Sequence, residues 1–199
     1  MKISIITVTL NSEKTIRDTL NSVLFQTVKN IEHIIVDGGS NDKTISIIKN
    51  YPNKNKKIFI KKSLGIYASI NFGIKKSSGE YICILNSDDI FHSKDTIKKI
   101  LKEINKSKKN IYLGDVSFFD KFNYYKITRY YPAKNFKSWH LFFGLMPPHP
   151  ASIIKKEIYN EFGYYKEDYK IAADFELFLR LLVKFKLTYK IFNLDVVKM

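Results

Sequence analysis

Asn86-Ser87-Asp88-Asp89 sets two carboxylates side by side. Like charges that close resist ionising together, and a cation relieves them. Mg2+ and Mn2+ suit carboxylate and phosphate oxygens, so Asp88 and Asp89 are candidate ligands of a divalent metal. A metal held there can bridge the protein to a diphosphate and neutralise charge developing on it. The competing reading is a plain turn, because Asn, Ser and Asp also favour turns and helix caps.

Other segments carry groups of the same kind. Asp37-Gly38-Gly39-Ser40 resembles a base- or ribose-binding turn, whose carboxylate can accept a hydrogen bond from a pyrimidine N–H. An ordinary strand-to-helix turn has the same composition. No Gly-Lys-Ser/Thr follows, so it is not a phosphate-cradling P-loop, and the glycine spacing excludes a dinucleotide fingerprint. Asp174, in Ala172-Ala173-Asp174-Phe175-Glu176, is a candidate general base for a hydroxyl, or else a helix-end acid. Arg180 could orient that base, meet a phosphate, or pair with a local carboxylate. Met146-Pro147-Pro148-His149-Pro150 is stiffened by three prolines, and His149 on it could donate to a phosphate or sugar oxygen, or serve structure alone. Trp139, Phe142 and Phe143 suit an acceptor-side or membrane-facing surface, or a core.

Positioning these groups requires strands and helices in alternation. Ile3 to Leu10 is an apolar, β-branched run of the kind buried in parallel sheets. Ile16, Leu20, Val23 and Leu24 recur at helical spacing and predict a helix over 13–26. Strands follow at 31–36, 57–61 and 81–85, with helices carrying Ile45 and Ile48, then at 66–76, then around Ile97 to Ile104. This order predicts a mostly parallel sheet flanked by helices, in three α/β/α layers. Ligands of such sheets sit beyond the carboxyl ends of the strands, where Thr9-Leu10-Asn11, Asp37 and Asp88-Asp89 all fall. After about residue 110 the pattern turns to short aromatic strands at 111–113, 116–119 and 124–131. A loop over 132–150, a helix at 155–161, a last helix through Leu182 and a last strand at 187–192 complete it.

The composition bounds the alternatives. The 199 residues fit one domain, and no apolar run approaches the ~20 residues that cross a bilayer. The N-terminus reads as a strand rather than a signal peptide, and Cys83 is the single cysteine, so cytoplasmic residence is expected. The net charge is +15, from 34 basic residues of which only Arg17, Arg129 and Arg180 are arginines. Base readout favours Arg, so no nucleic-acid partner is expected. Peripheral contact with an anionic inner membrane face suits the lysines, and a compositional bias explains them as well.

Taken together, Ile5-Ile6-Thr7-Val8-Thr9-Leu10-Asn11-Ser12, Ser22-Val23-Leu24-Phe25-Gln26-Thr27 and Ile35 to Asp42 resemble the family 2 glycosyltransferases of GT-A fold. Gly79-Glu80-Tyr81-Ile82 with Leu85 to Asp89, Met146 to Pro150 and Ala173 to Leu177 extend the likeness. It is nearest to bacterial enzymes of capsule, exopolysaccharide or lipopolysaccharide synthesis. The resemblance implies inverting transfer from a nucleoside-diphosphate sugar, UDP-linked by expectation, to a glycan or polyprenyl-linked acceptor. Thr7, Thr9, Asn11, Asp37, Gly65, Asn86, Ser87 and Asp88 would then bind the nucleotide-sugar, and Asp88 with Asp89 the Mn2+ or Mg2+. Asp174 would be the base, and His149, Trp139 and Arg180 would face the acceptor or diphosphate. Residues 1–110 would form the nucleotide-binding half, and 111–199 an acceptor and catalytic half that ends early. Asn86 stands in the first place of the family's D-x-D motif, while Ser63 and Ala68 stand where related sequences often carry Asp. These departures keep a second reading open, a non-catalytic nucleotide-sugar-binding or surface-associated module.

Overall fold

The computed structural model describes residues 1–120 and 126–199, so the start of the strand expected at 124–131 lies outside the described residues. The apolar run near the N-terminus forms β1 (Ile3–Thr9), with every residue buried. β2 (Ile31–Asp37) is equally buried and runs parallel to it. β3 (Lys56–Ile60) extends the parallel set on one side and β4 (Tyr81–Ile84) on the other. Both faces of β1 and β4 meet helices, which is why their sequences are nearly continuously apolar, whereas the edge strand β3 stays partly exposed.

On one face, α1 (Ile16–Leu24) and α2 (Thr44–Asn50) pack Ile16, Leu20 and Ile48 against Ile35. On the same side, α4 (Thr96–Ser107) sets Ile97, Ile100 and Ile104 against Ile3, Ile5 and Cys83. On the opposite face α3 (Ile66–Lys76) and α6 (Ala173–Phe178) cover Ile6, Val8, Ile34 and Val36. The three α/β/α layers are those the alternation predicts.

The remaining strands are mixed in direction. They are β5 (Ile90–Phe91), β6 (Ile111–Phe119), β7 (Ile127–Tyr131), β8 (Ser152–Lys155) and β9 (Tyr189–Lys198). Among the described residues the sheet order is β3-β2-β1-β4-β8-β6-β9-β5, with β7 on β6. The β4–β8, β8–β6, β6–β7 and β5–β9 pairs are antiparallel, and β6–β9 is parallel. Parallel order is thus confined to the first half and one later pair.

Several boundaries move. The helix expected over 13–26 is the shorter α1. The segments expected as two strands at 111–113 and 116–119 are one strand, because Gly114 lets β9 lie against the break. A Cβ on Gly114 would stand 2.5 Å from Val196 Cγ2 and 3.1 Å from Leu194 O. Val196 is fully buried and has nowhere to move. Gly114→Ala is expected to lower unfolding free energy by about 2 kcal/mol, the usual cost of overpacking a tight core, as read by urea titration. The expected last helix also breaks. α6 stops at Phe178 and continues as a π-helix over Leu179–Lys184. The 132–150 loop contains two 3-10 turns, Ser138–Phe143 and His149–Ala151, and α5 (Lys156–Phe162) follows β8.

Candidate active site

The carboxyl ends of β1, β2 and β4 open onto a groove of ≈820 Å3. Its walls include residues 9–15, Gly38, Asp42, Leu64, Ile66, and Asn86 to Asp88. Three loops from different strands are stapled together here. Asn11 N donates to Ser40 Oγ at 2.9 Å, and Asn41 N donates to Asn11 Oδ1 at 2.9 Å. Glu13 N reaches Asp42 Oδ2 at 3.0 Å, while Lys43 N returns to Glu13 Oε2 at 2.9 Å. The Ser12 and Ser87 hydroxyls meet at 2.8 Å and tie the β1 loop to the carboxylate cluster. Asn11 has φ 51°, a left-handed conformation that Asn tolerates better than most residues. A groove fixed by this many cross-loop bonds is already organised before a ligand enters.

The groove sorts the expected nucleotide-binding residues. Asn11, Asn86, Ser87 and Asp88 line it, and Asp88 is exposed on its wall. Thr9 lines it too, although its hydroxyl is buried without a partner among the described residues. Thr7 does not line it. Its side chain is buried within the sheet one pleat repeat before the strand ends, and it meets His33 Nε2 at 2.9 Å. Asp37 is fully buried and holds the turn. Its Oδ1 accepts from Gly39 N and Ser40 N, each at 2.8 Å, and Oδ2 accepts from Ser40 Oγ at 2.6 Å. The turn needs glycine at Gly39, where φ is 98° and a Cβ would stand 2.9 Å from Lys62 Cγ. Asp37 therefore shapes the groove rather than lining it. Gly65 precedes α3 with φ −64° and open space where a Cβ would be, so nothing there requires glycine.

The two adjacent acids separate. Asp89 is buried and accepts from Asn86 Nδ2 at 3.0 Å. Burial, with the nearby Asp88 charge adding to it, pushes the Asp89 carboxyl up to about 7. Asp89, expected beside Asp88 as a metal ligand, is thus turned away from the groove that Asp88 lines. Among the described residues no three His, Cys, Asp or Glu side chains gather around one point. At the β4 end of the groove wall the hard oxygen donors are Asp88, Asn86 and Ser87, while the Glu13 and Asp42 carboxylates on the opposite loops are engaged by backbone N–H groups.

A second hollow of ≈340 Å3 adjoins the first, and Ile66 and Asn86 line both. Asp174, Tyr67, His149, Met146, Val116 and Phe118 contribute to its walls. The Tyr67 hydroxyl donates to Asp174 Oδ1 at 3.3 Å. Tyr67 stacks on Tyr165, with ring centroids 5.8 Å apart, and the Tyr165 hydroxyl meets His149 Nε2 at 2.7 Å. Burial pushes the His149 pKa down, against a partial upward pull from Asp174. His149 lines the hollow but gives its Nε2 to Tyr165. Sequence reasoning missed this tyrosine pair. Tyr67 lies between Ser63 and Ala68, but nothing in its spacing marks it, and Tyr165 lies ninety-odd residues away in an aromatic-rich loop.

Two other expected residues lie elsewhere. Arg180 clasps Glu176, with Nε to Oε1 at 2.8 Å and Nη2 to Oε2 at 2.9 Å. Its remaining N–H groups donate to the carbonyls of Phe162, Gly163 and Tyr164. The guanidinium is consumed by fixing the end of α5, and Arg180 does not line either hollow. Trp139 is 52% exposed on the outer side of the Ser138–Phe143 turn, packed against His140 and Phe143, and also lines neither.

Known proteins share this fold. TarS of Staphylococcus aureus, solved with UDP-GlcNAc, superposes with a TM-score of 0.82 at 24% identity, over 100% of this chain and 58% of that one. A Pyrobaculum calidifontis mannosyltransferase, solved with GDP-Man and Mn2+, matches at 0.71 and 16%, over 100% of this chain and 56% of that one. A PGL/p-HBAD biosynthesis glycosyltransferase of Mycobacterium tuberculosis is 26% identical over 181 residues, covering 89% of this chain and 68% of the relative. The chain thus spans little more than half the length of these solved structures. The fold is that of GT-A glycosyltransferases such as TarS. The model of glycosyl transferase family 2 matches residues 4–169, and the chain belongs to that family.

Proposed function

We propose that the chain transfers a sugar, with inversion, from a nucleoside-diphosphate sugar to a hydroxyl of a glycan or lipid-linked acceptor. One observation carries this reading: two adjoining hollows share Ile66 and Asn86, with Asp88 on the first and Asp174 on the second. The first has room for a nucleotide between the β1 and β2 loops. The TarS complexes with UDP and UDP-GlcNAc favour a UDP-sugar as the donor. The Asp174 carboxylate on the wall of the second hollow supports a role there toward an acceptor hydroxyl.

In the reaction, Asp174 accepts the proton of the acceptor hydroxyl as that oxygen attacks the anomeric carbon. The bond from that carbon to the diphosphate breaks, and the diphosphate departs with the electron pair. Attack from the side opposite the leaving group inverts the centre. The Tyr67 hydroxyl occupies Asp174 Oδ1, which leaves Oδ2 for the proton. The N-terminal end of α3 lies at the groove wall without a side-chain cap, and its free N–H groups favour the diphosphate.

The donor set fits Mg2+ or Mn2+, which bind through one or two carboxylates and complete their shells with phosphate oxygens and water. Asp88 would hold the ion, with Asn86 and Ser87 beside it. A metal bound there supplies positive charge to the leaving diphosphate. Asp88→Ala is expected to cut transfer by about 100-fold, the scale of losing one electrostatic contact to the leaving group. The measurement is UDP release from a panel of nucleotide-sugars, with Mn2+, Mg2+ or EDTA. Thermal stabilisation by UDP should also weaken in the variant. If the wild type releases no nucleotide and is stabilised by none, the reading fails.

A further inference from the structure

The Ser138–Phe143 turn divides its side chains between core and solvent. Leu141 is buried against the α6 side of the core, and Phe136 just before the turn is buried as well. Trp139, Phe142, Phe143 and Leu145 point out, 52, 69, 74 and 59% exposed. Gly144, with φ 74°, ends the turn and keeps these side chains at one short stretch of surface. Exposed apolar clusters of this kind mark interaction sites, and scattered single residues do not. Mixed indole and phenyl rings suit a boundary between water and hydrocarbon.

The charge around the cluster selects the partner. Between Asp120 and Glu157 the chain carries no Asp or Glu, and Lys134 and Lys137 are exposed just ahead of the turn. The whole chain carries +15. An apolar tip in a carboxylate-free, lysine-bearing segment complements a surface that is apolar within and anionic at its rim. One residue beyond Leu145 the chain enters the wall of the Asp174 hollow at Met146, whose carbonyl accepts from the Tyr131 hydroxyl. No helix among the described residues is long and apolar enough to span a bilayer.

We propose that the Trp139–Leu145 turn is a membrane-docking tip that inserts its aromatic side chains into the surface of an anionic bilayer. Its position beside the Asp174 hollow would bring an acceptor anchored in that bilayer to the base, and this last clause alone rests on the proposed function.

Trp139 is the protein's single tryptophan, so its fluorescence reports on the tip itself. The 199-residue protein is mixed with vesicles of phosphatidylcholine alone or with added phosphatidylglycerol, some carrying brominated acyl chains. Binding to the anionic vesicles is expected, with a blue shift of Trp139 emission and quenching by the brominated lipid. Phe142→Ser/Phe143→Ser is expected to weaken vesicle affinity by about tenfold or more with unchanged circular dichroism, since both residues lie on the surface. High salt should weaken wild-type binding further. Failure to bind anionic vesicles, or binding without bromolipid quenching, overturns the proposal. So does a blue shift that grows with protein concentration and needs no lipid, because a second copy would then cover the tip. Vesicle binding is read without any nucleotide-sugar, so it stands or falls separately from UDP release.

Discussion

Asp174→Asn is expected to bind UDP as the wild type does and to transfer sugar about 10³-fold more slowly, within the usual range for loss of a general base. The substitution keeps the shape of the side chain and its acceptor toward Tyr67, which donates to Asp174 Oδ1 at 3.3 Å. What it removes is the capacity to take a proton. The attacking hydroxyl must then lose its proton to water in a hollow whose other walls are mainly Val116, Phe118, Met146 and prolines. His149 is no substitute, because its Nε2 is engaged by Tyr165 and burial holds its pKa down. The effect should fall on kcat and leave the donor Kd nearly unchanged, because Asp174 does not line the nucleotide groove. A 10³-fold loss equals about 4 kcal/mol of barrier. Steady-state UDP release gives kcat, and isothermal titration with UDP gives Kd. An unchanged kcat would assign the base elsewhere and remove the proposed mechanism. Loss of UDP binding as well would show that the variant disturbed the fold between α3 and α6.

The parts of this site that could be read from sequence are those fixed by chain order. A continuously apolar run such as Ile3–Thr9 must be buried on both faces, so it belongs to a parallel sheet, and its polar successor must emerge at the ligand edge. That logic placed Asn11 and Asp88 on one groove although 77 positions separate them. Orientation within a cluster was not legible. Asp88 and Asp89 are chemically identical, and only the path of the backbone turns one to the groove and the other to Asn86. Thr7 and Thr9 share a face of β1, yet only Thr9 sits at the end where the loops part. Asp37 looked like a free acceptor because its partners are its own neighbours' N–H groups, which sequence does not display. In the second half, contacts between distant segments decide the structure. Gly114 against Val196 and Arg180 against three carbonyls of another loop leave no periodic trace. Glu32 and His33 were also silent, two ionisable residues in a strand that reads as simply apolar.

Glu32 carries the other large expectation. It sits on β2 directly opposite Ser4 of β1 and is 2% exposed. Its Oε2 accepts from Ser4 Oγ at 2.6 Å and from Ser78 N at 2.7 Å, and its Oε1 accepts from Ser78 Oγ at 2.9 Å. Lys57 on β3 adds an ion pair at 2.6 Å, and Lys2 approaches the same oxygen at 3.6 Å. One carboxylate thus ties three strands to the loop between α3 and β4. Glu32→Gln keeps the volume but replaces one acceptor oxygen with an NH2 group. That group must face donors already aimed at it, and the Lys57 charge loses its partner. Breaking a buried pair costs 3–5 kcal/mol, and the half-exposed Lys57 ammonium puts this case at the low end, about 3 kcal/mol. In a chain of this length that lowers Tm by roughly 6–12 °C. The pH dependence gives a sharper reading. Burial alone would raise the Glu32 carboxyl, but Lys57, Ser4 and Ser78 outweigh it and hold it at about 2, below the ordinary 4.5. Between those values the unfolded chain binds the proton more readily than the folded one, so stability falls as pH drops through that window. Above pH 4.5 the contribution is fully present. The loss from Glu32→Gln should therefore be largest near neutral pH and shrink toward pH 2. Asp89, held up at about 7, has the opposite sign, since its contribution fades as pH rises from 3.8 toward 7. The two are separated by urea titrations of wild type and Glu32→Gln from pH 3 to 8. A stability gap between the two proteins that does not narrow in acid would mean that the Glu32 charge contributes nothing to the fold.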